Sequence, residues 1–104
     1  MTDTGPVFEA LGDPTRREVV RRLAEGGPAS ATQLAAELPV SRQAVAKHLA
    51  ALEDAGLVEG EREGRERRFR LTPAPLSEAA VWMADVGAEW DRRLHRLRRR
   101  LEGS

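Results

Sequence analysis

Apolar residues recur at helical spacing in the first quarter of the chain. In the segment DPTRREVVRRLAEGG, Val19 and Leu23 lie four residues apart on one face. Asp13 is a favourable N-cap residue ahead of a proline, and the pair Gly26–Gly27 favours a helix end. The pattern predicts a helix over about residues 14–25. The preceding segment PVFEAL predicts a short helix or turn.

Two further helices are predicted with a short break between them. Ser30 and Gln33 have the spacing of a capping box, and Pro39 ends the first of these helices. Ser41 then caps a second helix that runs to about Ala55, where a glycine follows. Two helices separated by three or four residues form a helix-turn-helix, which we place at residues 30–55.

The pattern changes from helical to alternating after residue 56. In LVEGEREGRERRFRLT, Phe69 and Leu71 alternate with arginines, and Gly64 occupies a turn. We predict a two-stranded β-hairpin over residues 57–72 that packs on the helices, because an isolated hairpin is unstable in water. The predicted fold is therefore mainly α with a two-stranded β-hairpin, the winged helix-turn-helix arrangement, in one domain spanning residues 1–104.

The last segment carries one continuous apolar stripe and predicts a helix over residues 75–102. A helix of about 26 residues is about 39 Å long and outruns a small winged-helix core, so the C-terminal half of this segment would expose apolar side chains. Two-fold pairing with a second copy would cover them. Packing on its own domain is the alternative, and it suits Trp82 and Met83 better than the residues from Leu94 onward. We place residues 6–25 and 75–102 in the dimerisation helices. The predicted interface residues are Phe8, Trp82, Val86, Trp90, Leu94, Leu97 and Leu101.

Composition narrows the class of protein. The chain has 104 residues, 33 % of them charged, and no cysteine, which excludes disulfides and thiolate metal sites. No apolar run has the length of a signal peptide core or a membrane span, so we expect a cytoplasmic protein without a membrane partner. A chain this small buries a limited core, and oligomerisation would stabilise it.

A formal net charge of zero conceals local basic segments. Residues 41–70 carry seven basic and six acidic side chains, and six of the nine residues at 92–100 are arginine with no acid among them. The neutral total argues against a non-specific polycation but permits a basic face that binds nucleic acid. We interpret the arginines at 92–100 as solvated flanks of the apolar stripe, with DNA contact as the lesser alternative.

The helix that begins after Ser41 has one face suited to DNA. At about 100° per residue, Val45 and Leu49 point one way and Gln43 and Lys47 the other. A slim polar face can enter the major groove, where Gln pairs with adenine and Arg or Lys with guanine. An ordinary solvated helix face is the alternative. The predicted contacts on this helix are Ser41, Arg42, Gln43, Ala46 and Lys47.

The arginine-rich hairpin favours the DNA interpretation of the helix before it. A wing can lie along the backbone or enter the minor groove, where arginine is favoured. We predict contacts from Arg65, Arg67 and Arg68 and leave Arg62 and Arg70 open, because four glutamates are interleaved. His48 lies at the edge of the buried stripe and either packs there or contacts a phosphate.

The spacing S-x-x-x-V-x-x-H-L-x-x-L-x-x-A-G-L-V, from Ser41 to Val58, resembles the ArsR-type winged-helix repressors. The similarity extends over LGDPTRREVVRRLAEG and the tryptophan-bearing last helix, and so covers nearly the whole chain. Within the family the chain looks nearest to the SdpR-like branch, which lacks metal ligands. The resemblance implies a homodimeric DNA-binding repressor, often acting on its own operon, that dimerises through its first and last helices.

Metal ligands of the family are missing at the corresponding positions. Ser30 and Thr32 stand where the metal sensors carry a Cys-x-Cys pair. Asp91 and His95 lack the second histidine of a zinc site on the last helix. We expect no metal and no cofactor. We also expect no enzymatic activity, since the chain shows neither a nucleophile–base pair nor a phosphate-binding glycine loop.

The sequence thus predicts a dimeric, sequence-specific DNA-binding regulator that acts as a repressor at an inverted-repeat operator. One alternative is a metal- or ligand-responsive sensor of the same fold. The other is a winged-helix protein-interaction module that does not bind DNA. Fold alone does not separate them.

Overall fold

A computed structural model of the protein describes residues 4–103. The described chain is mainly helical with a small antiparallel sheet and a long C-terminal helix, as predicted. In chain order its elements are α1 Gly5–Ala10, α2 Pro14–Gly26, β1 Ala29–Ser30, α3 Ala31–Glu37, α4 Arg42–Asp54, β2 Val58–Glu63, β3 Glu66–Leu71 and α5 Pro73–Glu102.

The helix-turn-helix is fixed at both of its N-termini by the predicted capping residues. At the start of α3, Ser30 Oγ accepts from the Gln33 amide at 3.2 Å while Gln33 Oε1 accepts from the Ser30 amide at 2.9 Å. At the start of α4, Ser41 Oγ accepts from the Ala44 amide at 3.1 Å. Each bond satisfies an amide that the helix itself leaves without a partner, so the sequence dictates where both helices begin.

Asp13 caps α2 and makes the stability of this helix depend on pH. Its carboxylate accepts from the amides of Thr15 at 2.7 Å and Arg16 at 3.1 Å. The Arg16 amide, assisted by that of Thr15, holds the pKa of Asp13 below its ordinary value of 3.8. A lowered carboxyl pKa stabilises the folded state above the ordinary value, and this stabilisation is lost as pH falls through the folded pKa.

We therefore expect Asp13→Ala to lower the melting temperature at pH 7, with the difference from wild type shrinking as pH falls below about 4. Asp13→Asn is the matched control, because its amide oxygen keeps the cap but does not titrate. Thermal melts followed by circular dichroism check this expectation. A gap between wild type and Asp13→Ala that stays constant from pH 7 to pH 3 would show that the carboxylate charge contributes nothing.

The sheet contains one strand more than the predicted hairpin. Strands β2 and β3 form that hairpin, with Val58 opposite Leu71 and a turn at Gly64, whose φ is 64°. Strand β1 then pairs with the other edge of β3, Ala29 facing Phe69, and gives the order β1-β3-β2. Two residues are too short to carry a period, so β1 could not be detected from the sequence pattern.

The core lies where α2, α3, α4 and the sheet meet. The predicted inner face of α4 is fully buried: Val45, Leu49 and Leu52 are each 0 % exposed. Phe69 belongs to the same core, so the hairpin is stabilised by packing on the helices, as predicted. The buried apolar residues are Val7, Ala10, Val19, Leu23, Leu34, Leu38, Val45, Leu49, Leu52, Leu57, Val58, Phe69 and Ala79.

Helix α5 leaves the core soon after it begins. It starts at Pro73, two residues before the predicted 75, and its 30 residues make it about 45 Å long. Ala79 is its one buried residue, and the Phe8 and Trp82 rings meet at 5.4 Å between centroids. Trp82 and Met83 nevertheless stay 52 % and 51 % exposed, so the chain covers even these two positions only in part. Within residues 4–103, no helix is both long enough and apolar enough to cross a bilayer.

Candidate nucleic-acid interface

The predicted contacts at the start of α4 form one exposed surface. Because the inner face of α4 is buried, helical geometry directs this surface away from the core. Its side chains are short or flexible, which leaves the helix narrow on this side. All five members are exposed: Ser41, Arg42, Gln43, Ala46 and Lys47.

Arg42 is held in place by the first helix of the pair. Its Nε donates to Thr32 Oγ1 on α3 at 2.9 Å. The bond occupies Nε and not the two terminal nitrogens, which are the donors that a guanine edge or a phosphate requires. Thr32, which cannot supply a thiolate ligand, here accepts a hydrogen bond from an arginine.

His48 is half-buried at the edge of the inner face, as predicted, and contacts α2. Arg16 Nε donates to His48 Nδ1 over a long 3.4 Å. With Nδ1 as the acceptor, the proton of the neutral ring lies on Nε2. The imidazole can therefore pack against α2 and still offer one N–H donor, so the packing and phosphate-contact interpretations of His48 are compatible.

The wing arginines differ in how strongly they are engaged. Arg68 donates to the Pro28 carbonyl at 3.0 Å and to Glu63 at 3.4 Å, and Arg70 pairs with Glu59 at 2.9 Å. Arg65 is exposed and makes no hydrogen bond or ion pair within residues 4–103. The glutamates interleaved in the hairpin thus neutralise part of its charge, and Arg65 is left as the cation most available to a ligand.

Arg67 joins the wing to α4 through an interaction that the sequence did not reveal. Its terminal nitrogens reach the two Glu53 carboxylate oxygens at 2.8 Å and 3.4 Å. The Gly60 amide donates to the same carboxylate at 3.2 Å, and the guanidinium lies 5.0 Å from the centre of the Phe69 ring. Arg67, assisted by the Gly60 amide, holds the pKa of Glu53 below its ordinary value.

A concavity separates α4 from the wing. Its volume is about 290 Å³, and its lining brings together four of the predicted contacts, Arg42, Ala46, Arg65 and Arg67. The predicted contacts outside this lining are Ser41, Gln43, Lys47, His48 and Arg68. Alanines on the α4 side keep the concavity open, and its charged lining consists of three arginines, Arg42, Arg65 and Arg67, and two carboxylates, Glu53 and Glu66. The concave shape suits one edge of a DNA groove, and Arg42 and Arg65 are the lining arginines that pair with no carboxylate within residues 4–103.

The described residues offer no constellation for a metal ion. Across residues 4–103, no three side chains of His, Cys, Asp or Glu stand close enough together to hold one.

A helix-turn-helix with an exposed polar second helix and an arginine-rich wing defines the class of winged-helix DNA-binding proteins. The family model described as "Helix-turn-helix domain" matches residues 11–61. The chain is 42 % identical over 87 residues to the HTH-type transcriptional regulator Rv2034 of Mycobacterium tuberculosis, covering 84 % of this chain and 78 % of that protein. It is 31 % identical over 77 residues to the transcriptional repressor SdpR of Bacillus subtilis, covering 74 % of this chain and 84 % of that protein.

A solved structure extends the similarity to the fold. The ArsR-like transcriptional regulator from Rhodococcus sp. RHA1 superposes with a TM-score of 0.76 at 49 % identity and covers 90 % of this chain and 88 % of that one. The protein belongs to the ArsR family of winged helix-turn-helix transcriptional regulators. It is a transcriptional regulator with a helix-turn-helix DNA-binding domain, and its relatives are regulators and not enzymes. The predicted family and fold class are confirmed.

Proposed function

We propose that the protein is a repressor that binds an inverted-repeat operator as a homodimer, with one α4 in each of two successive major grooves. The observation that carries the proposal is the exposed polar face at the N-terminus of α4, beside a wing that opens onto the same concavity. Its relative SdpR is named a repressor, which supports the direction of regulation. Such a regulator, of its own operon in the simplest case, would act in the cytoplasm.

The contacts divide into base readout and phosphate binding. Gln43 and Lys47 would read base edges, with Ser41 and Arg42 at the helix start and Ala46 allowing close approach. His48 Nε2 would donate to a phosphate. Arg65 and Arg68 would bind the backbone or minor groove beside the wing. Arg67 was also predicted to contact DNA. Its guanidinium pairs with Glu53 on α4, so it is less available to DNA than that of Arg65.

The dimer would form through α1 and α5. In a single chain the second half of α5 exposes a stripe of large apolar side chains, and exposed patches of this kind mark interaction surfaces. A two-fold axis across α5 would bury the stripe against its copy. The proposed interface residues are Phe8, Trp82, Val86, Trp90, Leu94, Leu97 and Leu101.

A reporter assay tests the direction of regulation. Genomic fragments that the purified protein retains would be placed upstream of a reporter gene in a host without the regulator. Expression of the protein should lower reporter output, and deletion of the bound fragment should remove the effect. A rise in output would identify an activator instead.

Metal ions should not control operator binding. Ser30 and Thr32 cannot supply thiolate ligands, so zinc, cadmium, arsenite or a chelator should leave the dissociation constant unchanged within twofold. Fluorescence anisotropy with a retained duplex measures this. Isothermal titration calorimetry provides the control: a tight, stoichiometric metal site would support the metal-sensor alternative.

A further inference from the structure

Glu53 lies in the C-terminal half of α4 and is bonded to both strands of the wing. The Gly60 amide on β2 and the Arg67 guanidinium on β3 donate to its carboxylate. We propose that Glu53 is a positioning residue that fixes the wing relative to α4, with Arg67 as its partner in place of a phosphate contact. The proposal rests on the proposed function, since the fixed wing serves DNA binding.

The geometry favours a positioning role over an incidental surface ion pair. An exposed ion pair with a single hydrogen bond contributes little to stability. The Glu53 carboxylate instead accepts three hydrogen bonds from residues on two strands. The pair is partly shielded, at 35 % exposure for the Glu53 side chain and 50 % for Arg67. Bonds to a charged acceptor are stronger than neutral ones, and here they come from both strands of the hairpin.

Gly60 is the residue that permits this arrangement. A Cβ on Gly60 would overlap the Arg67 guanidinium and lie 2.8 Å from Cε1 of the buried Phe69 ring. The guanidinium can move, but the ring edge belongs to the core. A side chain at position 60 would thus displace Arg67 from Glu53 while leaving both charges in place.

The other ion pairs of the wing do not reach α4. Arg70 with Glu59 and Arg68 with Glu63 stay within the hairpin. This supplies a matched control, because Glu59→Ala removes the same charge as Glu53→Ala without touching the link to α4.

Spin labels test the positioning role without DNA. The chain has no cysteine, so Ala24→Cys on α2 and Glu66→Cys on β3 place labels at two exposed sites. Dilution with unlabelled protein removes distances between subunits.

The distance distribution should be narrow in the parent and in Glu59→Ala and about twice as broad in Glu53→Ala and Gly60→Ala. A narrow distance distribution in both Glu53→Ala and Gly60→Ala, with helicity retained, overturns the proposal. The exchange Glu53→Arg with Arg67→Glu should restore a narrower distribution, although not the Gly60 bond.

DNA binding then separates positioning from phosphate contact. With a duplex selected by the wild-type protein, Glu53→Ala and Arg67→Ala should each bind about tenfold more weakly than Glu59→Ala, with an unchanged salt slope. Loss of a phosphate contact would instead reduce the slope by about 0.9 per contact, and that result for Arg67→Ala would overturn its assignment as the partner. If the wild-type protein bound no duplex at all, the proposed function would fail, while the spin labels would still decide the role of Glu53.

Discussion

Leu94→Glu is expected to convert the protein to a monomer at micromolar concentration and to weaken operator binding by about 10²–10⁴-fold, although Leu94 is not among the predicted DNA contacts. In the single chain Leu94 is 43 % exposed, between Trp90 at 56 % and Leu97 at 53 %. Burial of one leucine stabilises by about 1.5–3 kcal/mol, and a two-fold interface counts each substitution twice. Two glutamates near the axis would add repulsion and the cost of removing charge from water.

Loss of the dimer removes more affinity than any single contact. One α4 reaches one half-site, whereas two linked copies reach half-sites about 34 Å apart. The link converts the second binding event into an intramolecular one, a gain that can reach about 10²–10⁴ in affinity. Leu94→Glu should therefore weaken operator binding by up to this factor while its affinity for a single half-site stays unchanged.

Sedimentation velocity and anisotropy on the same samples check both consequences. Ala88→Glu is the matched control, because it adds the same charge to α5 on the side opposite the apolar stripe. It should remain dimeric and bind as the wild type does. A Leu94→Glu protein that stays dimeric and binds normally would place the interface elsewhere, as would a wild-type protein that is monomeric at tens of micromolar.

Gln43→Ala is expected to produce the largest loss of sequence specificity. A bidentate contact between Gln43 and adenine would contribute about 1–3 kcal/mol at each half-site, and both subunits of the dimer carry the change. The buried face of α4 is untouched, so melting temperature should not change. Affinity for the selected duplex should fall while affinity for a random duplex stays the same.

Arg68→Ala provides the contrast to Gln43→Ala. Loss of a phosphate contact should weaken the selected and random duplexes to a similar degree and flatten the salt dependence. Anisotropy titrations with both duplexes at several salt concentrations distinguish the two patterns. If neither variant changed affinity for either duplex, neither residue would belong to the interface.

The parts of the fold that could be predicted are those set by local chemistry. Ser30 and Ser41 start helices through bonds to amides three residues away, and Gly64 turns the hairpin through its own φ. The inner face of α4 follows from the helical period that places Val45 beside Leu49. Each of these features depends on neighbours in the sequence, which is why the sequence reveals it.

The parts that could not be predicted depend on residues far apart in the chain. Strand β1 exists because Ala29 lies opposite Phe69, forty residues later. The pairing of the Arg67 guanidinium with Glu53 depends on the packing of the wing on α4, which no sequence pattern shows, and the DNA contact of Arg67 stays a prediction. Arg16 likewise reaches His48 from another helix. The exposed face of α4 could be predicted, whereas the interactions that hold it next to the wing could not.

The central claim is that a two-fold dimer places two α4 helices in successive major grooves, and binding-site selection tests it most directly. Purified wild-type protein would be mixed with fragmented genomic DNA, and the retained fragments sequenced. The account predicts enrichment of an inverted repeat whose half-site centres lie about 10–10.5 base pairs apart, one turn of the duplex. Enrichment of a single unpaired half-site would contradict the dimer, and retention without any shared sequence would contradict base readout by α4.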